Sequence, residues 1–175
     1  PYGAAKAFGH NLCQAYRAKG MTAINVILYN HESPRRPARF VTRKITSTVA
    51  AIAAGRAAQL RLGDLSIRRD WGWAPDYVQA MYVAAGHGSA EDFVIATGET
   101  HSIAEFAATA FAAAGLDDWE RYVVSDSALL RPADRATMVG DASKAQALLG
   151  WSVSRPFDAI VTAMVDADLR QEQHA

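Results

Sequence analysis

The chain has 175 residues, about the length of one domain, and half of its residues are hydrophobic. Its 18 basic residues balance 18 acidic ones, and this neutrality argues against nucleic acid or an anionic membrane as the main partner. A single cysteine excludes an intrachain disulfide, and the lack of a signal peptide or a bilayer-spanning apolar run favours a cytoplasmic location.

Helical and strand patterns alternate in the first third of the chain. Residues 2–20 predict a helix, because apolar side chains recur there at four-residue steps on one face. Residues 21–30 predict a strand, and their near-continuous apolar run is typical of a parallel strand buried on both faces. A loop with two prolines follows, and residues 40–55 predict a second helix that ends at a glycine.

The same alternation continues to the end of the chain. Ser102 and Glu105 form an S-x-x-E capping box, which predicts a helix start at that point. Further helices are predicted over residues 75–88, 101–115, 141–150 and 155–172, further strands over 91–98 and 121–126, and short strands or loop edges over 60–64 and 67–73. The pattern indicates an α/β fold with a largely parallel sheet and a smaller lobe, in one domain without a clear linker.

The first six residues, "PYGAAK", place a phenol and an amine on one helix face. Tyr2 and Lys6 are four residues apart, so both side chains point the same way in a helix. A nearby ammonium lowers the pKa of a phenol, which then can take or give a hydroxyl proton. The pattern alone is equally typical of a solvated helix surface.

The stretch "YNHESPRRPAR" follows the first buried strand. Ligands of open α/β sheets bind outside the carboxyl ends of the strands, so this loop is a candidate binding segment, although charged runs are more often solvated. The next helix begins with "VTRK", and its unpaired first amides favour an anion. Either Arg43 or Lys44 is then placed to help hold a diphosphate.

Five ordered blocks resemble the GDP-mannose 4,6-dehydratases of the extended short-chain dehydrogenase/reductase superfamily. The blocks are "NHESPRR", "FVTRKI", "RRDWGWAPDYVQAM", "DFVIATGETHS" and "GDASKAQALLGW". The match runs nearly from end to end and corresponds to the C-terminal part of that family. The resemblance implies half of a Rossmann-like doubly wound parallel sheet with a smaller substrate-binding lobe. We find no G-x-G-x-x-G after a strand, so residues 1–175 are interpreted as one partial domain whose Gly-rich N-terminal half is absent.

The resemblance also implies a role for individual residues. Tyr2 and Lys6 are then catalytic and, with His31 and Arg36, bind the cofactor NADP. Between Arg43 and Lys44 it favours Lys44. The substrate GDP-mannose is then bound by Asn30, Val41, Lys44, Arg69, Arg131 and Asp134.

By resemblance the complete enzyme is a hydro-lyase. It converts GDP-mannose to GDP-4-keto-6-deoxymannose, recycles NADP, and forms dimers or tetramers. A threonine and a glutamate of the family's first half complete its active site. We expect no turnover by these 175 residues alone. The alternatives are a GDP-4-keto-6-deoxymannose reductase, another sugar-nucleotide epimerase or dehydratase of the superfamily, and a non-catalytic sugar-nucleotide-binding fragment.

Some features depart from the family pattern or have a structural interpretation. Asp64 stands where asparagine is usual, Pro37 replaces a common glycine, and Asp134 replaces glutamate, which shortens its reach. Trp71 and Trp73 could stack on guanine, but buried tryptophans more often belong to the core. The histidines show no ligand spacing, so no metal is expected.

Overall fold

Parallel strand pairs and the helices packed against them form most of the regular structure. The computed structural model describes residues 1–130 and 137–173. Its helices are α1 (Tyr2–Arg17), α2 (Val41–Ala53), α3 (Ala74–Gly86), α4 (Ile103–Ala113), α5 (Ser143–Leu149) and α6 (Phe157–Glu172). Its strands are β1 (Asn25–Leu28), β2 (Asn30–Glu32), β3 (Leu60–Leu62), β4 (Arg68–Arg69), β5 (Trp71–Trp73), β6 (Asp92–Ile95), β7 (His101–Ser102), β8 (Val123–Ser125) and β9 (Thr137–Met138).

The strand pairing is mainly parallel. β1 pairs with β6, β2 with β5 and β3 with β8, in each case in parallel. β4 pairs with β7 in antiparallel orientation and with β9 in parallel. Parallel pairs need crossover connections, which the intervening helices supply. The predicted α/β class is therefore confirmed.

A first core cluster fills the space between three helices and two strands. Helices α2, α4 and α6 pack on one another, and strands β3 and β5 close the cluster. Apolar residues recur every three or four positions in each helix, which gives each one an inward stripe. The largest fully buried side chains in this cluster are Phe106, Phe111, Ile45, Leu60, Leu62, Ile160 and Met164.

A second core cluster lies under β1 and β6. Helix α3 contributes Tyr77 to it, β6 contributes Phe93 and Ile95, and Trp151 follows α5. The ring of Tyr77 meets that of Trp151 edge to face, with centroids 6.0 Å apart. Strand pair β2–β5 contacts both clusters. Trp71 of β5 belongs to the first cluster, and Tyr77 of the second cluster stacks on His31 of β2.

The run "INVILYN" forms two short strands, where one long strand buried on both faces was predicted. β1 pairs with β6 and β2 pairs with β5, so the chain changes partner at Tyr29. In β1, Ile27 is 43% exposed, because α3 contacts the strand while no side chain of α1 is buried against it. The prediction of a strand is correct, and that of burial on both faces is wrong.

Helix α1 forms where the sequence predicts it, but its apolar face is exposed. Phe8, Leu12 and Tyr16 are all exposed, and the helix contains no buried residue. Its C-terminal end is attached to β6 through Asp92, whose Oδ1 accepts hydrogen bonds from Arg17 Nη2 at 2.6 Å and from Asn25 Nδ2 at 2.8 Å. Hydrogen bonds and charges hold α1 to β6.

The helix-boundary signals of the sequence are confirmed at two places. The hydroxyl of Ser102 accepts from the Glu105 amide at 3.0 Å, and the Glu105 carboxylate accepts from the Ser102 amide at 3.0 Å. This is the predicted capping box at the start of α4. Gly150 ends α5 with a φ of 62°, a left-handed conformation that favours glycine.

Candidate functional site

A cavity of about 630 Å³ opens where the loop after β2 meets the start of α2. Strand β4 and the residues that follow β3 form its other walls. The cavity is large enough for a nucleotide-sized ligand. Its lining residues are Asn30, Arg36, Arg39, Phe40, Val41, Lys44, Leu62, Gly63, Asp64, Ile67, Arg69, Trp71, Ile103 and Leu129.

The fold brings four of the predicted substrate-binding residues together in this cavity. They are Asn30, Val41, Lys44 and Arg69. Asn30 follows the carboxyl end of β1 and Val41 begins α2, so the carboxyl end of a strand and a helix N-terminus converge at the cavity, as the sequence pattern indicates. Arg36, predicted to bind the cofactor, also lines the cavity.

The cavity lining carries four basic residues and one acidic residue. The basic residues are Arg36, Arg39, Lys44 and Arg69, and the acidic one is Asp64. Hydrogen bonds from the hydroxyl and the amide of Ser66 lower the pKa of Asp64, so this carboxyl stays ionised. The excess of cations suits an anionic ligand such as a diphosphate.

The structure separates the two cations at the start of α2. Lys44 lines the cavity, whereas Arg43 turns to the core, where its Nη1 lies 2.5 Å from Asp168 Oδ1 in α6. Arg43 Nε also donates to the Pro34 carbonyl at 3.1 Å. Burial raises the pKa of Asp168 despite the hydrogen bond from Thr46 and the charge of Arg43. Arg43 is therefore a structural residue.

His31 follows Asn30 in β2 and is not itself part of the cavity lining. Its ring stacks on Tyr77 with centroids 4.8 Å apart, and its Nδ1 is 2.8 Å from the Tyr29 carbonyl oxygen. A carbonyl only accepts, so Nδ1 carries the proton of the bond. In the neutral imidazole, Nε2 is then left as an acceptor for a ligand.

Tyr2 and Lys6 are neighbours on α1, as their spacing predicts. The Lys6 ammonium lies 5.5 Å from the centroid of the Tyr2 ring. Tyr2 is 77% exposed, and neither residue lines the cavity. The pairing of phenol and amine is confirmed, and its catalytic use stays a prediction.

Two predicted ligand residues, Arg131 and Asp134, lie outside the described residues. The described chain resumes at β9, which pairs with β4, so that Met138 is the partner of Arg69. Next to Arg69, Asp70 is buried and accepts hydrogen bonds from the amide and hydroxyl of Thr97, each at 2.8 Å. Its other oxygen accepts from the amides of Gly98 and Gly140.

Sequence reasoning missed several cavity residues. Arg39 was recognisable from the basic run "PRRPAR", and Phe40 from its position before α2. The apolar wall had no local signal, because its members come from separate elements: Leu62, Ile67, Ile103 and Leu129. Two residues that depart from the family pattern lie in or near the cavity. Asp64 lines it, and the Pro37 carbonyl accepts a hydrogen bond from the Phe40 amide at 3.1 Å in the turn before α2.

A second cavity of about 340 Å³ shares Trp71 with the first. Trp71 is only 2% exposed and belongs to the core, as predicted, while Trp73 packs against the core and lies under the Arg155 guanidinium at 4.6 Å. His101 stacks on Phe157 in this cavity, with centroids 3.7 Å apart.

Residues 1–130 and 137–173, the described part of the chain, contain neither a metal-binding cluster nor a membrane-spanning helix. No group of three or more His, Cys, Asp and Glu side chains there is arranged to hold a metal ion. No helix within the same ranges has the length and apolar character needed to cross a membrane.

Known proteins match this chain along nearly all of its length. The GDP-mannose 4,6 dehydratase family matches residues 1–164. GDP-mannose 4,6 dehydratase 2 of Arabidopsis thaliana is 45% identical over 170 residues, covering 97% of this chain and 45% of the relative. The human GDP-mannose 4,6 dehydratase is 41% identical over 186 residues, covering 97% of this chain and 50% of the relative. The chain thus spans about half the length of these curated relatives.

Solved structures of similar fold are more distant in sequence. RMD from Pseudomonas aeruginosa, complexed with NADPH, superposes with a TM-score of 0.87 at 21% identity, covering 98% of this chain and 56% of that one. The dTDP-glucose 4,6-dehydratase of Bacillus anthracis, in complex with NAD, gives a TM-score of 0.80 at 21% identity, covering 99% of this chain and 53% of that one. At this identity the likeness bears on the fold, and it confirms the Rossmann-like class.

Proposed function

The chain belongs to the GDP-mannose 4,6 dehydratase family, and from this membership we propose that it forms the substrate-binding part of a sugar-nucleotide 4,6-dehydratase. The complete enzyme converts GDP-mannose to GDP-4-keto-6-deoxymannose with NADP as a recycled cofactor, and is a hydro-lyase. Residues 1–175 are one partial domain of it, located in the cytoplasm and assembled with identical copies as a dimer or tetramer.

One observation carries this proposal: a cation-rich cavity unites residues distant in sequence. Asn30, Lys44 and Arg69 come from three different elements and line the same cavity. Lysine and arginine are the side chains that bind phosphate oxygens most strongly. We propose that Lys44 and Arg69 bind the diphosphate of GDP-mannose and that Asn30 donates to the sugar, with Val41 beside it and Arg131 and Asp134 completing the site.

The Tyr2–Lys6 pair fits the acid–base part of the reaction. A phenol is a weak base at neutral pH, and an ammonium beside it stabilises the phenolate. The Lys6 ammonium lies 5.5 Å from the centroid of the Tyr2 ring. Tyr2 would remove the proton of the sugar's C4 hydroxyl. Loss of this proton, together with loss of hydride from C4, converts the C4 alcohol to a ketone.

The residues that we propose as cofactor ligands have suitable donor and acceptor chemistry. Lys6 offers an ammonium to ribose hydroxyls, His31 offers its Nε2 acceptor, and Arg36 offers a guanidinium to phosphate. These groups fit a nicotinamide dinucleotide. NADP, when bound, supplies the acceptor and donor of the hydride, first for C4 and then for C6 of the sugar.

The elimination step needs groups beyond this sequence. A ketone at C4 acidifies the hydrogen at C5, and loss of the C6 hydroxyl as water follows removal of that hydrogen. By resemblance to the family, a glutamate and a threonine of the first half take part, so this chain contributes binding and the C4 proton transfer.

Product analysis tests the proposal. The full-length protein that carries this chain should convert GDP-mannose to a product lighter by one water, with no net oxidation or reduction of added NADP. Consumption of NADPH in proportion to a 4-keto substrate would indicate the reductase instead. Tyr2→Phe should lower turnover by roughly a hundredfold or more, the usual size of a lost acid–base group.

The isolated 175 residues provide a second test. We propose that they bind GDP through the cavity but do not turn over GDP-mannose. Calorimetry with GDP measures the binding, and product analysis of the same sample measures turnover. Turnover by the isolated chain would contradict this part of the proposal.

A further inference from the structure

Glu32 is a fully buried carboxylate next to the cavity. It ends β2, is 1% exposed, and lies opposite Trp73 in the register of the β2–β5 pair. Its Oε2 accepts a hydrogen bond from the Thr42 hydroxyl at 2.7 Å and lies 3.4 Å from Arg36 Nε. Glu32 does not line the cavity, but Arg36 does.

The Arg36 guanidinium is held from two directions. Its Nε faces Glu32, and its central carbon lies 3.8 Å from the centroid of the Phe40 ring. A charge on one side and a ring on the other restrict the rotation of a side chain that is otherwise flexible. Among the described residues, the buried Nε of Arg36 has no hydrogen-bond partner, so its contact with Glu32 is an ion pair, and the side chain lines the cavity where a ligand can meet its terminal nitrogens.

The backbone that carries Arg36 is fixed without Glu32. The Arg36 amide donates to the Ser33 carbonyl at 3.0 Å, and Arg43 Nε donates to the Pro34 carbonyl at 3.1 Å. Arg43 is in turn paired with Asp168 in the core. A change of the Glu32 side chain should therefore leave the loop in place and affect mainly the orientation of the guanidinium.

We propose that Glu32 is a positioning residue, which orients Arg36 so that its terminal nitrogens meet a phosphate of the bound nucleotide. This inference rests on the proposed function, and it adds a residue that does not itself touch the ligand. Because a guanidinium already held in place has less freedom to lose on binding, the carboxylate strengthens phosphate binding at a distance.

The role of Glu32 can be separated from simple support of the fold. Thr42 shares the same carboxylate oxygen but does not contact Arg36 in any described interaction. Thr42→Val is therefore a matched control, which removes a buried hydrogen bond of Glu32 and leaves the carboxylate beside Arg36. We expect Thr42→Val to lower the unfolding temperature and to keep nucleotide affinity within about twofold.

A double-mutant cycle in the full-length protein tests the proposal. Dissociation constants for NADP and, separately, for GDP are measured by calorimetry for wild type, Glu32→Gln, Arg36→Ala and the double variant. We expect Glu32→Gln to weaken binding of one nucleotide about tenfold in the wild-type background and to have no further effect in the Arg36→Ala background, as for residues that act through each other. The nucleotide that responds identifies the phosphate that Arg36 binds.

Each result decides a different point. An equal loss of affinity from Glu32→Gln in both backgrounds, or no loss in either, would overturn the positioning role while leaving the proposed function intact. Failure of the wild type to bind either nucleotide would overturn the proposed function and this inference with it. If Glu32→Gln does not fold, the same cycle with Glu32→Asp, which keeps the charge but shortens the reach, decides in its place, with an intermediate loss expected.

Discussion

Adjacent residues of like charge have opposite surroundings at the start of α2. Arg43 is paired with Asp168 inside the molecule, and Lys44 lines the cavity. Successive positions of a helix differ by about a quarter of a turn or more, so only one of two neighbours points to a given wall. Sequence alone left both as candidates, and the resemblance favoured the residue that the structure places in the cavity.

Removal of the Lys44 charge should weaken binding of GDP. Lys44→Met is expected to raise the dissociation constant roughly tenfold to a hundredfold, the range for a lost hydrogen bond to a charged group. Calorimetry measures it. Lys19→Met is the matched control. Lys19 follows the end of α1, its ammonium lies over the ring of Tyr16, and it does not line the cavity. Equal effects of the two changes would show that overall charge, and not the cavity, binds the ligand.

Glu32 gives the protein a pH dependence of definite sign. Burial raises its pKa above the ordinary value of 4.5, opposed by the Thr42 hydrogen bond and the Arg36 charge. Tyr77 also faces it, and the raised pKa of that phenol keeps it neutral. The unfolded chain releases the Glu32 proton near pH 4.5 and the folded chain at higher pH, so its contribution to stability is full below 4.5 and falls as pH rises.

The comparison of wild type with Glu32→Gln isolates this contribution. The difference in free energy of unfolding, wild type minus variant, should fall with rising pH above 4.5, by at most about 1.4 kcal/mol per pH unit. It becomes constant once the raised pKa is passed. Urea denaturation at a series of pH values measures it. A difference that grows as pH rises would show that the folded protein favours the ionised form of Glu32.

The residues of the site were predictable in part. Asn30, Lys44 and Arg69 were identified through motifs whose order along the chain carries information, and the structure brings them together. Glu32 stands with Asn30 in the motif "NHESPRR" but was missed. Its burial depends on contacts from Thr42 in α2 and from Arg36 in the loop after β2. No pattern within "NHESPRR" marks which of its charges is buried.

At the level of elements, the start of α4 is set by a local signal. Ser102→Ala removes one half of the capping box and should destabilise the protein by about 0.5–2 kcal/mol. Chemical denaturation measures the loss. Ser152→Ala is the control, since Ser152 is exposed and lies outside any helix, and its effect should stay within about 0.5 kcal/mol. If both variants have equal stability, the cap contributes nothing to the folded state.

Helices were better predicted than strands for a physical reason. A helix such as α4 is specified by its own periodicity and its own cap, both within a dozen residues. A strand is completed by a partner distant in sequence, as β1 is by β6, and pairing decides where it ends. The run "INVILYN" therefore read as one strand, although its two halves pair with different strands.

At the level of the whole molecule, two core clusters meet along the pair β2–β5. Gly72 lies there, opposite His31, and a side chain at this position would come within 2.3 Å of the Tyr77 ring. Only glycine lets Tyr77 reach its place beside His31. The proposed cofactor residue His31 and the second core cluster thus depend on the same close approach.

Burial is uneven between the two longest helices. α1 and α6 both contain 16 residues, but α1 buries none of them, whereas α6 buries five. Opening of α1 exposes no core, so its amides should exchange with solvent much faster than those of α6. Hydrogen exchange followed by mass spectrometry compares helices of equal length within one sample. Equal protection of α1 and α6 in a monomeric sample would contradict the expected difference.

Trp71 is a wall common to both cavities and is also part of the core. Indole emission responds to the polarity of whatever touches the ring. Occupation of the larger cavity should thus produce an optical signal without any attached dye, and a compound that enters the smaller cavity should alter the same signal. One residue would then report on two compartments, and a titration of each in the presence of the other would reveal whether they are filled independently.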